Sequence, residues 1–301
     1  MTRPPEATRY LTVTGVLHPD NRLDLEPGFL TTEPADAVED PDSALVAEMA
    51  DADGKPLLRF RVSYGSPCTD GTAFADRLVM AKVPFPRATR MIRYLLDGVV
   101  VHELEVAREA PSVRLAWEPA EGTQGVRPVR WQGEHREGRE LRYLLSYSAD
   151  NGKTWQPLSL PVDETEQQVD FDRLAGGHRC RLRVLATDGV NTTEAVSAPF
   201  TRPIQPCYAM ILAPEDGTTY EHDDPVRFQG QGWYLEEREP ELDQLDWASS
   251  VDGPLGTGPI VELSGLSPGI HTITLTAGRE GRTGTTTVTI QAAGPPRATT
   301  M

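Results

Sequence analysis

Residues 141–155 read LRYLLSYSADNGKTW, a strand-like segment that runs directly into a turn. Apolar and aromatic side chains recur with a period close to two over LRYLLSYS (141–148), which indicates a β-strand with one face buried. Asp150, Asn151 and Gly152 follow, and these residue types suit the left-handed backbone of a tight turn. The stretch therefore predicts a strand that folds back on itself as a hairpin.

The turn also resembles the Asp-box of sialidase propellers, with Ser148, Asp150, Gly152 and Trp155 at the matching spacing. A propeller needs one such box in each of several blades, and this chain has one. Asp and Ser side chains can hydrogen-bond the amides of a turn, and a Trp can cover it. We therefore predict structural roles for Asp150, Gly152 and Trp155, and no glycosidase site.

The same period of two recurs along the 301 residues, and no long capped helical pattern interrupts it. About seven strands per hundred residues, with turn residues every 8–12 positions, is the pattern of β-sandwiches. The sequence thus predicts an all-β chain. The strand-like segments include LRFRVSY (58–64), RYLLDGVVVHELEV (93–106), RCRLRVLAT (179–187), HTITLTA (271–277) and TTTVTIQA (285–292).

Two stretches mark domain boundaries, because each begins a new strand pattern after the previous one ends. They are EAPSVRLAWEP (109–119) and the proline-bearing APFTRPIQPCYAMILAP (198–214). Prolines in a short linker favour an extended, semi-rigid spacer. We predict three tandem sandwiches in an elongated arrangement, at residues 1–109, 110–203 and 204–293, with a tail at 294–301.

Each predicted sandwich resembles a known kind of module. The middle one, with LRYLLSYSADNGKTWQPL (141–158) and an ATDG turn (186–189), resembles fibronectin type III domains, although Cys180 replaces the Tyr whose hydrogen bond forms that family's tyrosine corner. The last, with LDWASSVDGPLGTG (245–258) and LSGLSPGIHTITLTA (263–277), resembles bacterial polycystic-kidney-disease-type or immunoglobulin-like repeats. That resemblance implies a core position for Trp247. The first is similar to small all-β modules that trail the catalytic domains of secreted bacterial peptidases.

The net charge of the sequence limits the kinds of partner that we expect. The chain carries 45 Asp or Glu against 29 Lys or Arg, a net charge of −16. Such a surface repels phosphate backbones and anionic lipid, so we predict no nucleic acid partner and no membrane insertion.

The start of the sequence shows no signal peptide, which predicts a cytoplasmic protein unless the chain is a fragment of a secreted one. Widely spaced cysteines predict reduced thiols, with a Cys180–Cys207 bridge left open.

Catalytic and metal motifs are weak. The sequence contains no GxxxxGK[ST], and HELEV (102–106) lacks the second His of a zinc HExxH. The segment LSGLSPG (263–269) has serines beside a Gly but lacks the strand–turn–helix pattern of a nucleophile elbow. We therefore predict no enzyme activity and no cofactor, with calcium the one candidate. Acidic loops supply the oxygen ligands that calcium prefers, and a plain solvated loop is the alternative explanation. The candidate ligands are Asp223, Asp224, Glu236, Glu237 and Asp243.

These patterns favour a non-catalytic interaction or structural module of a bacterial assembly or surface protein. Domains of the kinds it resembles act mostly as spacers and binders, so the expected partner is a protein, with a glycan as a second candidate. Two alternatives remain open at this point. One is an accessory C-terminal region of a secreted hydrolase, either a peptidase or a glycosidase, and the other is a calcium-dependent adhesion module.

Overall fold

The computed structural model describes residues 9–32, 39–65, 76–118, 123–221, 224–237, 244–279 and 281–294. Within these ranges the chain forms β-strands and one short 3-10 turn, and no helix there is long and apolar enough to span a membrane. Nearly all neighbouring strands pair antiparallel. The predicted all-β fold of immunoglobulin-like and fibronectin III-like sandwiches is confirmed.

The first sandwich packs two sheets on one core. One sheet has the order β2-β1-β7-β6, with β3 also on β1, and the other has the order β5-β4-β8-β9. Alternate residues such as Val13 on β1 and Ile92 on β8 are buried in the shared core. The strands are β1 (Tyr10–Leu17), β2 (Leu23–Leu25), β3 (Leu30–Thr31), β4 (Leu45–Ala50), β5 (Pro56–Arg61), β6 (Tyr64–Gly65), β7 (Arg77–Pro84), β8 (Met91–Leu96) and β9 (Val99–Glu105).

The middle sandwich has sheets of order β10-β11-β14 and β13-β12-β15-β16, with β17 also on β15. Trp131 of the first sheet packs against Tyr143 of the second, with ring centroids 5.8 Å apart. A 3-10 turn at Phe171–Arg173 follows β14. The strands are β10 (Ser112–Ala116), β11 (Val126–Glu134), β12 (Arg142–Ser148), β13 (Gln156–Pro157), β14 (Glu166–Asp170), β15 (Gly177–Thr187), β16 (Thr192–Val196) and β17 (Phe200–Arg202).

The last sandwich has sheets of order β18-β20-β23 and β19-β25-β24-β21-β22, and β19 runs parallel to β25. Its core contains Phe228, Trp247, Ile273 and Leu275. The strands are β18 (Tyr208–Ala213), β19 (Thr218–Tyr220), β20 (Val226–Trp233), β21 (Leu245–Ser249), β22 (Gly253–Thr257), β23 (Ile260–Leu263), β24 (Gly269–Arg279) and β25 (Arg282–Ala292).

The contacts divide the chain into two compact units. The first contains residues 1–120, 127–169 and 181–199, and the second contains 121–126, 170–180 and 200–301. Strands β11 and β15 contribute residues to both units. The three predicted domain boundaries stay a prediction.

Within the first unit, the loop after β15 fastens the middle sandwich to the first one. Val190 from this loop is buried in the core of the first sandwich. The hydroxyl of Thr187 donates to the carbonyl of Gly28 at 2.6 Å, and the N–H of Leu30 donates to the hydroxyl of Thr192 at 2.8 Å. The predicted ATDG turn is therefore part of a joint between two sandwiches.

A buried histidine and an aspartate support this joint from the inside. Nε2 of His135 lies 3.2 Å from a carboxylate oxygen of Asp188, and both side chains are almost inaccessible. Asp188 also accepts the N–H of Asn191 at 2.7 Å, and the amide of Asn191 donates to the carbonyl of Ala107 at 3.1 Å. The loop is thus held by side chains on both sides of the joint.

Cys180 and Cys207 do not pair with each other. Cys180 and Cys207 are both buried free thiols. The thiol of Cys180 lies 3.3 Å from the carbonyl oxygen of Gly177, and Cys207 belongs to the core of the last sandwich. The bridge left open by the sequence is not formed, and Cys68 lies outside the described residues.

Candidate interaction site

The Asp-box stretch forms a turn that is satisfied by its own side chains. The hydroxyl of Ser148 accepts the N–H of Gly152 at 2.8 Å and donates to Asp150 at 2.7 Å. The Asp150 carboxylate also accepts the N–H of Thr154 at 2.9 Å and its hydroxyl at 2.7 Å. Burial opposes ionisation of Asp150, but the hydrogen bonds from Thr154 and Ser148 outweigh it and hold the pKa of this carboxyl below its usual value.

The two tryptophans singled out in the sequence lie in different surroundings. Trp155 is half-buried, lies against Gly152, and has the Arg183 guanidinium 4.3 Å from its ring centroid. Trp247 is 1% exposed, and its indole N–H donates to the carbonyl of Gly258 at 2.9 Å. Trp155 thus lies over the turn, and Trp247 is a core residue.

Those predicted calcium ligands that the structure describes make other contacts. Asp223 and Asp243 lie outside the described residues. Asp224 accepts the N–H of Glu221 at 3.1 Å, and Glu237 pairs with Arg279 at 3.0 Å. No group of three or more His, Cys, Asp or Glu that could hold a metal occurs within the described ranges. The calcium site stays a prediction, which thermal melts with calcium and with chelator would test.

Glu236, another of these predicted ligands, connects three segments of the second unit. One carboxylate oxygen accepts the N–H of Gly176 at 2.7 Å and that of Gln205 at 3.1 Å, and the other pairs with Arg282. The Arg282 guanidinium also lies over the Tyr234 ring, 4.3 Å from its centroid. Glu236 is therefore enclosed in a hydrogen-bonded cluster rather than placed in a solvated loop.

One serine–histidine pair in the last sandwich has the residue types of a nucleophile and its base. Oγ of Ser249 lies 2.8 Å from Nδ1 of His271, whose Nε2 lies 2.6 Å from the carbonyl oxygen of Ser267. The same Oγ accepts the N–H groups of Val251 and Asp252. His271 is fully buried with both ring nitrogens engaged, so this pair holds the turn after β21. No local sequence pattern predicts this pair, because the two residues are 22 positions apart.

The outer face of β24 and β25 in the last sandwich is lined with threonines. On β24 and β25, outward-facing threonines lie directly opposite one another, as Thr272–Thr289, Thr274–Thr287 and Thr276–Thr285. Hydroxyl-bearing side chains of this kind suit a face in contact with water.

The outer face of β5-β4-β8-β9 in the first sandwich is charged instead. Oppositely charged side chains lie side by side across its four strands, in the order Arg59, Glu48, Arg93 and Glu103.

The outer face of β18-β20-β23 is apolar over most of its length, with one ion pair, Arg227–Glu262, at one end. We call the uncharged part of this outer face the apolar face, and it consists of Tyr208, Met210, Leu212, Gln229, Gln231, Trp233 and Ile260. Three of its aliphatic side chains are 42%, 47% and 46% exposed, those of Met210, Leu212 and Ile260. Tyr208 and Trp233 stack with ring centroids 5.6 Å apart and an interplanar angle of 14°. This face combines aromatic and aliphatic surface with amide groups.

The apolar face was not predicted from the sequence. Tyr208, Met210 and Leu212 alternate with Ala209 and Ile211, so the segment has apolar residues on both faces of β18. Such a segment resembles a strand buried on both sides. The observable signal was that its paired strand, β20, has glutamines at two of its outward positions, 229 and 231.

Comparisons with known proteins show weak structural likeness only. No protein-family model and no curated protein matches this sequence. Among solved structures, fibronectin(III)-like modules of Clostridium thermocellum CbhA are 13% identical, over 60% of this chain and 94% of that one, with a TM-score of 0.25. The FN1–FN3 domains of chicken CNTN1 are 12% identical, over 96% of both chains, with a TM-score of 0.21.

The N-terminal four Ig domains of Dscam1 isoform 4.44 are also similar, at 12% identity and a TM-score of 0.24. That match covers 83% of this chain and 66% of the Dscam1 chain, so this chain spans about two thirds of that structure. At these TM-scores the likenesses carry no argument about function.

Proposed function

We propose that this chain is a non-catalytic interaction module of a larger bacterial assembly or surface protein, and that it binds a protein partner through the apolar face. The observation that carries the proposal is the exposed apolar face, which lies in a strongly acidic sandwich. Residues 204–301 contain 14 Asp or Glu against five Arg. Among the described ones, Arg227 and Glu262 lie on the same outer face beside the apolar face and pair with each other.

The physical argument is the cost of leaving apolar surface in water, about 25 cal/mol per Å². The same sandwich covers β24 and β25 with threonine, so a polar outer face is compatible with this fold. Contiguous exposed apolar patches commonly mark interaction sites, and Tyr, Trp and Met are enriched in protein interfaces. A protein partner accounts for Met210, Leu212 and Ile260 on an outer face.

The test is comparative capture with immobilised protein, followed by binding of the purified partner. The Met210→Glu, Ile260→Glu double variant places charge on the apolar face without touching the core. We expect the wild type to bind a defined partner and the double variant to lose it by about tenfold or more, since each change buries a charge in an apolar contact. The control Thr287→Glu changes an exposed threonine on the opposite face and should bind normally.

Equal binding by wild type and double variant would contradict the proposal, as would loss of binding in Thr287→Glu alone. Binding should also persist in high salt, because an apolar contact is not screened by ions.

A further inference from the structure

Strand β9 (Val99–Glu105) forms one edge of the sheet β5-β4-β8-β9 in the first sandwich, and β8 is its one neighbour among the described strands. It is seven residues long, and no other edge strand in the described part of the chain is as long. Its sequence, VVVHELE, contains neither Pro nor Lys, two residue types that commonly protect sheet edges. An edge of this kind is a place where a further strand can add.

The backbone of β9 directs part of its hydrogen-bonding groups away from β8. The N–H of Val106, the residue after β9, donates to the carbonyl of Arg90 on the β8 side at 2.9 Å. Because backbone groups alternate between the two edges of a strand, those of Glu103 and Glu105 face the open side. The carbonyl of Glu105 accepts from Arg139 at 3.2 Å, whereas no described residue bonds the N–H or carbonyl of Glu103 from that side. The free part of the edge therefore lies before the contact with Arg139.

An apolar row crosses the outer face of this sheet and stops at the same edge. Val46 of β4 lies opposite Leu95 of β8, and Leu95 lies opposite Val100 of β9. Val46 and Leu95 also line a pocket of about 200 Å³. Val100 is 48% exposed and its neighbour Val99 is 66% exposed. An apolar residue on an added strand would lie beside Val100 and continue the row.

A carboxylate follows Val100 on the outer face. Glu103 lies opposite Arg93, whose Nε donates to Oε2 of Glu103 at 2.8 Å. The other oxygen, Oε1, has no partner among the described residues. Opposite charges on neighbouring strands stabilise their pairing, so this position favours Lys or Arg on an added strand. The net charge of −16 also favours a cationic segment over a second copy of this chain.

We propose that β9 accepts an extended segment of a partner protein as an additional strand of this sheet. The segment would place an apolar side chain beside Val100 and a Lys or Arg beside Glu103. Hydrogen bonds between the two backbones would supply affinity, and the alternate side chains would select the sequence. The site lies in the first sandwich and is separate from the apolar face, so it goes beyond the proposed function.

The experiment is an NMR titration of the ¹⁵N-labelled chain with the capped peptide acetyl-Thr-Val-Thr-Lys-Thr-Val-Thr-amide. Its Val and Lys side chains share one face of an extended strand. We expect saturable shifts at the amides of residues 98–105. Hydrogen exchange at the Glu103 amide should slow by about tenfold or more, because this N–H gains a partner. The same peptide with every backbone nitrogen methylated keeps its side chains but has no backbone donor, and it should not bind.

Variants of β9 test the edge from the side of the protein. Glu103→Pro removes the N–H on the open side without removing a bond to β8, and it should abolish binding, whereas Glu103→Gln should only weaken binding severalfold. Val100→Lys repels the Lys of the peptide and should weaken binding about tenfold. The control Val126→Lys makes the same change at a 62% exposed valine of β11 and should bind like the wild type. Melting temperatures show that each variant is folded.

Three results would overturn the proposal. They are no saturable shift at β9, equal binding of the methylated peptide, and an equal loss of binding in Val126→Lys. Sedimentation of the wild type as a dimer that Val100→Lys converts to a monomer would assign the edge to a second copy of this chain instead. None of these outcomes bears on the apolar face, which the capture experiment tests independently.

Discussion

Arg202 shows how a single residue can hold one end of the middle sandwich within the second unit. Its side chain is 1% exposed and donates to the carbonyls of Thr123, Leu174 and Ala175 at 3.2, 2.7 and 3.1 Å, and to that of Phe171. Only arginine presents this many donors in a fixed fork. The guanidinium thus satisfies backbone carbonyls around the 3-10 turn that would otherwise be buried without partners.

Arg202→Lys should therefore destabilise the chain although it keeps the charge. An ammonium group cannot reach all of these carbonyls, and each buried group left without a partner costs about 1–3 kcal/mol. We expect the free energy of unfolding to fall by about 2–3 kcal/mol, measured by urea denaturation. Arg179→Lys, at an exposed position of β15, is the control and should change it by less than about 0.5 kcal/mol. Similar losses in both variants would rule out this role for Arg202.

Asp150 should make stability depend on acidity in a defined direction. Its pKa in the folded chain is lowered, so its contribution is present above the unfolded value of about 3.9. It is lost as the pH falls through the lower folded value. Between pH 5 and pH 2.5 the urea midpoint of the wild type should fall more than that of Asp150→Asn, which cannot titrate. Parallel pH profiles of the two proteins would contradict this assignment.

At the scale of the strand, burial decides what an aromatic side chain contributes. Trp247 on β21 packs against Phe228 of the facing sheet, with ring centroids 5.6 Å apart. Trp155 is half-buried over its turn. The same residue type therefore occupies a core position in one sandwich and a surface position in the other.

Trp247→Ala should cost about 3–5 kcal/mol, as for other large-to-small changes in a core. Trp155→Ala should cost clearly less, because part of its ring already faces water and its main contacts are Gly152 and Arg183. Thermal and urea denaturation of both variants would measure the difference. Equal costs would show that the turn depends on Trp155 as strongly as the core depends on Trp247.

At the scale of the whole molecule, the first unit joins two sandwiches through one loop. Val190 belongs to the middle sandwich by sequence but is buried in the core of the first. The joint also uses the hydrogen bond from Thr187 to Gly28. The stability of the first sandwich should therefore depend on a residue about 80 positions beyond its last strand.

Val190→Ala should lower the free energy of unfolding of the first unit by about 1–2 kcal/mol, since it removes buried methyl groups. Hydrogen exchange should speed up at amides of β1 and β4, far from position 190 in the sequence. The control Val196→Ala, at a 38% exposed position of β16, should leave exchange in β1 unchanged. Faster exchange confined to residues 183–196 would contradict a shared core.

Whether a feature could be predicted from the sequence depended on how far apart in the chain its interacting residues lie. The period of two predicted strands where β12, β24 and β25 occur, because alternation is a local property of the chain. The turn at Asp150 was equally local, since its hydrogen bonds join residues at most four positions apart. Fold class and turn chemistry could therefore be predicted without a structure.

The apolar face and the cluster around Glu236 depend on pairing between distant segments. Alternation separates the two faces of a strand but does not say which one meets water. From the sequence, Glu236 was predicted to lie in a solvated loop, because its hydrogen-bonding partners are distant in the chain. Gly176 is 60 positions away and Arg282 is 46 positions away. The amino-acid sequence alone thus determined the β-strands and their turns, through contacts between near neighbours. The tertiary structure decided which side chains remain exposed, because strand pairing and sheet packing bring together residues whose separation in sequence carries no local signal.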